Sequence, residues 1–168
     1  AENILDVTKI ESQSLHLKKE RFNLNDIIQS VLTDYQRFVD SSKVILAMTP
    51  NDDIAIVEGD KERLTQVLDN LLSNAIKFTK EGKITVTLEL MKEKDKQNVV
   101  VSVKDTGSGI DSEVLSRLFT RFVTKSDRGT GLGLYISKGI IEAHGGKIWA
   151  ENNLKEMGAT VNFSLTTV

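Results

Sequence analysis

The sequence has 168 residues, of which 39% are hydrophobic and 27% charged, the composition of one ordinary globular domain or of a domain with an appendage. Because it contains no cysteine, disulfides, thiol nucleophiles, zinc ribbons and iron–sulfur sites are excluded. A net charge of −2 leaves no positive excess for binding a nucleic acid or an anionic membrane, and no apolar run approaches the roughly 18 residues that span a bilayer.

The beginning of the chain predicts a short helix, a strand and a longer helix. Apolar residues recur at helical spacing over residues 4–10, in a polar context. Alternation over residues 14–22 then indicates a strand. Asn25 is the predicted N-cap of the second helix, whose apolar stripe consists of Ile28, Val31, Leu32, Tyr35, Phe38 and Val39.

The rest of the chain alternates between β-rich and helical segments. Two short β-rich runs, 44–48 and 54–57, are separated by a turn that contains the only proline, Pro50, and the longest helical pattern then begins after Asp60 and ends at Phe78. The later predicted elements are a hairpin (83–91 and 99–103, with a charged loop over 92–98), a helical run (114–119), a helix (136–143) and two strands (147–151 and 160–165). This order predicts an α+β fold, a two-layer sandwich in which a mixed, mostly antiparallel sheet packs against helices.

The longest helix carries a polar stripe beside its buried face. At about 100° per residue, the stripe is made of Arg63, Gln66, Asn70, Asn74 and Lys77. An uncharged amide oxygen at such a border suits Mg²⁺, which takes one or two protein oxygens together with substrate phosphates. A lysine one turn further can meet a phosphate. The alternative is that these side chains only cover the margin of the core, and the helix alone leaves both interpretations open.

Eight of the eleven glycines fall between Gly107 and Gly146. The first group, Asp105-Thr106-Gly107-Ser108-Gly109-Ile110, directly follows a predicted strand. Paired glycines let the backbone approach a planar ligand, and the carboxylate can accept a hydrogen bond from an exocyclic amine. An ordinary turn is the alternative. An aspartic protease is a further one, but it needs two such aspartates, so this chain would have to act as a homodimer.

The second group, Gly129-Thr130-Gly131-Leu132-Gly133-Leu134, opens a predicted helix. Exposed backbone N–H groups at a helix N-terminus form a cradle for phosphate. The spacing G-x-G-x-G matches neither the dinucleotide fingerprint nor the P-loop. The segment before this helix is polar and irregular instead of a strand, which also disfavours a Rossmann or P-loop fold.

Taken in order, these segments resemble the catalytic, ATP-binding domain of sensor histidine kinases, within the gyrase-like ATPase superfamily. Residues 60–79 are similar to the N box of that family and 105–110 to its first glycine box. Residues 118–122 (Leu-Phe-Thr-Arg-Phe) are similar to its F box and 129–134 to its second glycine box. The resemblance covers residues 20–166 and implies a Bergerat-type ATP-binding fold.

The resemblance also implies a role for individual residues. It places Mg²⁺ on Asn74, the phosphates near Asn70 and Lys77, and the adenine amino group on Asp105. Gly107 and Gly109 would lie beside the adenine ring, Gly131 and Gly133 at the phosphates, and residues 123–130 would form a lid. Arg121 would help to position the γ-phosphate or the docked acceptor helix. The implied nucleotide-binding set is completed by Phe78, Ile110, Gly129, Thr130, Leu132 and Leu134.

The resemblance further separates a kinase from a hydrolase. Hydrolysing relatives have a water-activating glutamate four residues before the Mg²⁺-binding asparagine, whereas this chain has Asn70 there, which cannot act as a base. We therefore expect slow ATP hydrolysis and transfer of the γ-phosphoryl group to a histidine. The alternatives are a hydrolytic gyrase-like ATPase or a serine kinase of the same fold, and a degenerate nucleotide-sensing module without catalysis.

The phosphoacceptor motif of the family, H-[ED]-x-R-x-P, is missing from this sequence. His16 and His144 lack its flanking residues, so both are interpreted as structural; an imidazolium at the helix end would suit the helix dipole for His144. Residues 1–14 resemble the end of the dimerisation and phosphotransfer hairpin, and 15–168 the catalytic domain. We therefore expect a monomer that binds Mg-ATP. Its expected partners are a hairpin domain and, indirectly, a response regulator. We expect it to lie in the cytoplasm even if the parent protein is membrane-anchored.

Overall fold

The computed structural model describes residues 2–49, 53–122 and 131–168. Pro50 in the predicted turn and the predicted lid, 123–130, lie outside the described residues. The helices are α1 (Glu2–Glu11), α2 (Leu24–Gln36), α3 (Lys61–Phe78), α4 (Ser112–Leu115) and α5 (Gly133–Ala143). The strands are β1 (Glu20–Asn23), β2 (Val44–Met48), β3 (Ile56–Gly59), β4 (Gly82–Glu93), β5 (Lys96–Asp105), β6 (Lys147–Asn152) and β7 (Ala159–Thr166).

Five strands form one mixed sheet in the order β2-β4-β5-β7-β6. Strand β2 runs parallel to β4, and the other neighbours are antiparallel. Strands β1 and β3 form a separate antiparallel pair. The predicted α+β sandwich with a mixed, mostly antiparallel sheet is therefore confirmed.

One face of the large sheet and the helices α2, α3 and α5 enclose the core. Strand β5 turns Val99, Val101 and Val103 inward, as the two-residue period of a strand requires. Helix α3 contributes six buried side chains, Leu64, Val67, Leu68, Leu71, Leu72 and Ala75, and the larger ones stabilise the fold by about 1.5–3 kcal/mol each. No helix of the described part of the chain combines the length and apolarity that crossing a bilayer would need.

The predicted second helix begins and ends at other residues than expected. Its N-cap is Asn23, not Asn25, because β1 leads directly into the helix and the Asn23 side chain accepts the N–H of Asn25 at 3.1 Å. The helix ends at Gln36, and Phe38 is 84% exposed. The predicted apolar stripe therefore extends beyond the end of the helix, because a favourable spacing does not show where a helix stops.

Two strand predictions also needed correction. The predicted hairpin is confirmed, but its loop is shorter than 92–98, because β4 and β5 pair out to Glu93 and Lys96 and leave a tight turn in which Lys94 has φ 56°. The side chains at this end of the hairpin are charged and solvated on both faces, so the alternation of apolar residues that predicts a strand is missing there. The first predicted strand is shorter than expected, since β1 begins only at Glu20.

His144 joins the end of α5 to the start of α3. Its Nε2 accepts the backbone N–H of Asp60 at 3.0 Å, so Nδ1 carries the proton and donates to the Ile140 carbonyl oxygen at 2.8 Å. The Asp60 side chain in turn caps α3 by accepting the N–H of Arg63. The ring is therefore neutral here, and the expected imidazolium at the helix end is wrong: burial lowers the pKa of His144.

Helix α1 docks on α3 and α5 through polar and apolar contacts. Asp6 is buried and accepts hydrogen bonds from Arg63 at 2.8 Å and Gln66 at 2.9 Å. Burial alone would raise the pKa of Asp6, but the hydrogen bonds from Gln66 and Arg63 and the charge of Arg63 lower it overall. Gly139 of α5 leaves room for Ile10, which would lie 2.6 Å from a Cβ at that position.

We expect the free energy of unfolding to fall as the pH is lowered below about 6.5, the pKa of an unperturbed histidine. Because the pKa of His144 is lowered in the folded state, the unfolded chain binds more protons in this range, and acid favours unfolding. Urea unfolding of His144→Gln between about pH 5 and pH 7.5 should show a flatter dependence. The exposed His16→Gln is the matched control, and an unchanged slope in His144→Gln would contradict the assignment.

Asp6→Ala should release α1, because it leaves the partly buried Arg63 guanidinium without its ion-pair partner. We expect a loss of about 1–3 kcal/mol in stability, measured by urea unfolding, and faster amide hydrogen exchange over residues 4–12. Glu11→Ala is the control, since its pair with Arg121 is about half exposed and should matter by less than about 1 kcal/mol. Equal effects of the two substitutions would show that Asp6 has no special role in docking.

Candidate functional site

The polar stripe of α3 faces the start of α5. Asn70 donates from Nδ2 to the carbonyl oxygen of Gly133 at 3.0 Å and to Ser137 Oγ at 3.1 Å. Ser137 is fully buried, so this amide fixes the position of α5 relative to α3. The amide oxygen of Asn70 has no hydrogen-bond partner among the described residues.

Asn74 and Lys77 continue the stripe at spacings of four and three residues, which keeps them on the same face as Asn70. Asn74 is half-buried and its side chain makes no hydrogen bond within the described part of the chain. Lys77 is exposed, and its Nζ lies 5.8 Å from the centre of the Phe78 ring. The stripe thus presents an amide oxygen and an ammonium group that are available to a ligand.

Asp69, the carboxyl next to Asn70 in the chain, belongs to another surface. Burial and the charge of Asp34 on α2 raise the pKa of Asp69, and Tyr35 of α2 donates a hydrogen bond to its backbone oxygen at 3.4 Å. It therefore lies in the contact between α2 and α3. Asp69 therefore cannot serve as a carboxylate base in place of Asn70.

The first glycine box lies against the C-terminal end of α3. Asp105 ends β5, and its Oδ1 accepts the N–H of Gly107 at 2.9 Å and that of Ala159 at 3.2 Å. Its Oδ2 accepts no hydrogen bond from the described residues. Only glycine fits at 107, because a Cβ would lie 2.3 Å from the Phe78 carbonyl oxygen. The loop is therefore pressed onto α3 with one carboxylate oxygen free.

The second glycine box is described from Gly131 onward, and Gly129 and Thr130 lie outside the described residues. Gly131 has φ +71°, a conformation that favours glycine. Helix α5 then begins at Gly133, and no side chain caps it at Leu132. Backbone N–H groups of its first turn are consequently available to an anion.

Several predicted binding residues turn their side chains into the core. Ile110 packs with Leu118 and Ala159 in a small apolar cluster, and Leu132 lies in the main core. Leu134 contacts both the small cluster and the main core. A Cβ at Gly133 would lie 3.6 Å from Asn70, an ordinary contact, so the packing does not demand glycine there. Any contribution of these positions to a ligand comes from their backbone.

Arg121 contacts α1. Its Nη1 forms an ion pair with Glu11 at 2.7 Å, and the next residue, Phe122, donates its N–H to the carbonyl oxygen of Gly131 at 2.8 Å. The F box therefore connects α1 with the second glycine box. The structure does not bring the Arg121 side chain to the α3 stripe in any described contact.

Sequence reasoning missed the residues that hold the site from behind. Ser137 fixes Asn70, and Asn152 and Asn153, at the end of β6, form hydrogen bonds to the backbone of the first glycine box. A pair of asparagines after a strand signals a turn, but it does not show which distant loop the side chains reach.

Together the contacts place both glycine boxes along one helix. Gly133 lies at Asn70 and Gly107 at Phe78, eight residues apart, which is about 12 Å along a helix axis. A free carboxylate oxygen marks one end of this line and the uncapped N-terminus of α5 the other. An elongated ligand with an amine-bearing ring and an anionic tail fits these two ends.

Residues 59–167 match the family described as histidine kinase-, DNA gyrase B-, and HSP90-like ATPase. Among the described residues, no three His, Cys, Asp or Glu side chains cluster as metal ligands. A metal in a site of this kind would rely on an amide oxygen and on ligand phosphates, as Mg²⁺ does.

Curated relatives include the sensor histidine kinase WalK of Bacillus subtilis, which is 31% identical over 169 residues. That match covers 97% of this chain but only 27% of WalK. The adaptive-response sensory kinase SasA of Synechococcus elongatus is 34% identical over 96% of this chain and 42% of its own length. The chain therefore spans less than half the length of these two relatives.

Solved structures show the same architecture. The nucleotide-free catalytic domain of the histidine kinase ThkA matches with a TM-score of 0.78 at 35% identity, over 89% of this chain and 96% of that one. ThkA in complex with the response regulator protein TrrA matches with a TM-score of 0.72 at 32% identity, over 98% and 47% of the two chains. The match over residues 59–167 shows that the chain belongs to the family of histidine kinase-, DNA gyrase B-, and HSP90-like ATPases, and its fold and site geometry agree with this.

Proposed function

We propose that this chain is the ATP-binding catalytic domain of a two-component sensor histidine kinase. It binds Mg-ATP and transfers the γ-phosphoryl group to a histidine on a hairpin domain. The observation that carries the proposal is the arrangement of α3, which has the free oxygen of Asp105 beyond one end of its stripe and the uncapped start of α5 beside the other. The similarity to sensor histidine kinases supports the choice of reaction within the family.

The base subsite is built around Asp105. A carboxylate accepts hydrogen bonds only, so Oδ2 would take the exocyclic amine of adenine and would oppose the O6 oxygen of guanine. Because Oδ1 is already held by Gly107 and Ala159, the carboxylate is oriented before a ligand arrives. Gly107 and Gly109 allow the ring to approach the backbone, and Phe78 and Ile110 border it.

The phosphates would lie between the α3 stripe and the start of α5. The backbone N–H groups of Gly131 and Gly133 and the positive end of the helix dipole favour an anion there. The resemblance adds Leu132, Leu134, Gly129 and Thr130 to the predicted set. Lys77 adds a mobile positive charge. The Asn74 amide oxygen, which has no described partner, would hold Mg²⁺, and a bound Mg²⁺ neutralises charge on the transferring phosphoryl group.

Asn70 distinguishes transfer from hydrolysis. Its amide cannot take a proton from water, and its Nδ2 is committed to Gly133 and Ser137. The remaining amide oxygen points to a role in positioning phosphates or their cation. We infer that the acceptor histidine acts as the nucleophile and that water is a poor substitute.

The hairpin domain is the expected protein partner. Residues 1–14 would be the end of its second helix and 15–168 the catalytic domain, which we expect to act in the cytoplasm. Arg121 would position the γ-phosphate or the docked acceptor helix, and its pair with Glu11 shows that it reaches the helix we assign to the hairpin. A response regulator would receive the phosphoryl group from the hairpin; ThkA has been solved with such a protein.

Asp105→Asn should weaken binding of a fluorescent ATP analogue about 10- to 100-fold, because a charged acceptor facing the adenine amine is lost while the isosteric amide keeps its Oδ1 bonds. Asn74→Ala should instead remove most of the gain in affinity that Mg²⁺ provides. Glu151→Gln, an exposed change on β6, is the control. The site assignment fails if neither Asp105→Asn nor Asn74→Ala weakens binding.

Phosphoryl transfer should depend on Asn70, while hydrolysis should stay slow with or without it. With the hairpin domain supplied in trans, labelled phosphohistidine should form, and Asn70→Ala should slow its formation about 10- to 100-fold. Rapid multiple-turnover hydrolysis by this chain that requires Asn70 would favour the hydrolase alternative. Absence of labelled phosphohistidine with the family's hairpin domains would refute the kinase proposal.

A further inference from the structure

The connection between β6 and β7 reaches behind the first glycine box. The side chain of Asn152 forms two hydrogen bonds with one residue of that box: Oδ1 accepts the Ile110 N–H at 2.8 Å, and Nδ2 donates to the Ile110 carbonyl oxygen at 2.7 Å. Both backbone polar groups of Ile110 are thus fixed by one amide. The Asn152 side chain thus satisfies the backbone of Ile110 in the way that a neighbouring strand would.

The two bonds restrict the glycine that precedes Ile110. Gly109 has φ +77°, and a Cβ there would approach Asn152 Oδ1 to 3.3 Å. On the other side, the Ile110 side chain is buried against Leu118 and Ala159. Gly109 is therefore held between an anchored side chain and a two-point amide contact, which leaves its flexible backbone little freedom.

The same connection also holds the other end of the box. Asn153 donates from Nδ2 to the Asp105 carbonyl oxygen at 2.9 Å, and the Ala159 N–H bonds the Asp105 carboxylate at 3.2 Å. Gly158 permits this contact, since a Cβ would lie 2.0 Å from the Asp105 carbonyl oxygen. Residues between the end of β6 and the start of β7 therefore form hydrogen bonds with both ends of the loop that surrounds the proposed base subsite.

We propose that Asn152 is a positioning residue that sets the affinity of this site for the purine base. It acts through Ile110 and Gly109, by holding the loop in the shape that accepts the ring before the ligand arrives, which removes an ordering cost from binding. Asn152 is exposed and contributes nothing to the apolar core, so its effect on binding is separable from an effect on folding. The inference rests on the proposed nucleotide site.

The test compares adenosine, ADP and Mg-ATP by calorimetric titration on the whole chain. Asn152→Ala should weaken all three by a similar factor of about 5- to 20-fold, the loss expected when two amide hydrogen bonds no longer preorganise the loop. Amide hydrogen exchange at Ile110 should accelerate, while the urea midpoint stays close to that of the wild type. An equal loss of affinity for all three ligands would place the effect at the base subsite, because adenosine has no phosphates.

Asn98→Ala is the matched control, since Asn98 lies at the other end of β5 and, among the described residues, its side chain bonds only Glu93 and Thr166. It should leave all three affinities unchanged. Unchanged adenosine affinity in Asn152→Ala, or a loss confined to Mg-ATP, would overturn the inference. Asp105→Asn distinguishes failure of the positioning role from failure of the proposed base subsite. If Asp105→Asn weakens adenosine binding and Asn152→Ala does not, only the positioning role of Asn152 is refuted. If neither substitution weakens adenosine binding, the proposed base subsite is refuted as well.

Discussion

The site depends on how α3 is placed. Six apolar side chains fix the rotation of this helix against the sheet. With that rotation fixed, the part of the stripe from Asn70 to Lys77 can face only one direction. A rotation by a single residue, about 100°, would carry Asn74 into the core or into solvent. Burial of the apolar face therefore determines where the polar groups point, and the two glycine boxes only have to be brought to them.

The helix ends are secured by contacts that come from distant parts of the chain. At the N-terminus, the Asp60 carboxylate caps α3 and also accepts the N–H of Lys18, while His144 accepts the N–H of Asp60. At the C-terminus, the Phe78 carbonyl oxygen lies where a side chain at Gly107 would be. A helix held at both ends and along one face moves little, so its polar side chains can form a preorganised site.

Local patterns predicted the parts of this structure that local forces determine. The extent of α3 was predicted well because apolar periodicity, an Asp cap and a following glycine agree over residues 60–82. The sequence pattern predicts Asn25 as the cap of α2, whereas the cap is Asn23, because either asparagine can cap a helix and only the position of β1 decides between them. Ser137 and Asn152 could not be predicted, because their partners, Asn70 and Ile110, lie 67 and 42 residues away.

Glycine spacing indicates where the backbone can approach a ligand, but it does not show what holds the backbone there. A loop with glycines at 107 and 109 would sample many conformations in isolation, and each of them would lower the fraction of molecules ready to bind. The structure restricts this loop by a carboxylate, two asparagines and one buried isoleucine. Two of these residues, Asn152 and Asn153, lie outside the glycine motif, at the end of β6 and directly after it. The binding shape of a glycine-rich loop therefore depends partly on residues that the motif does not contain.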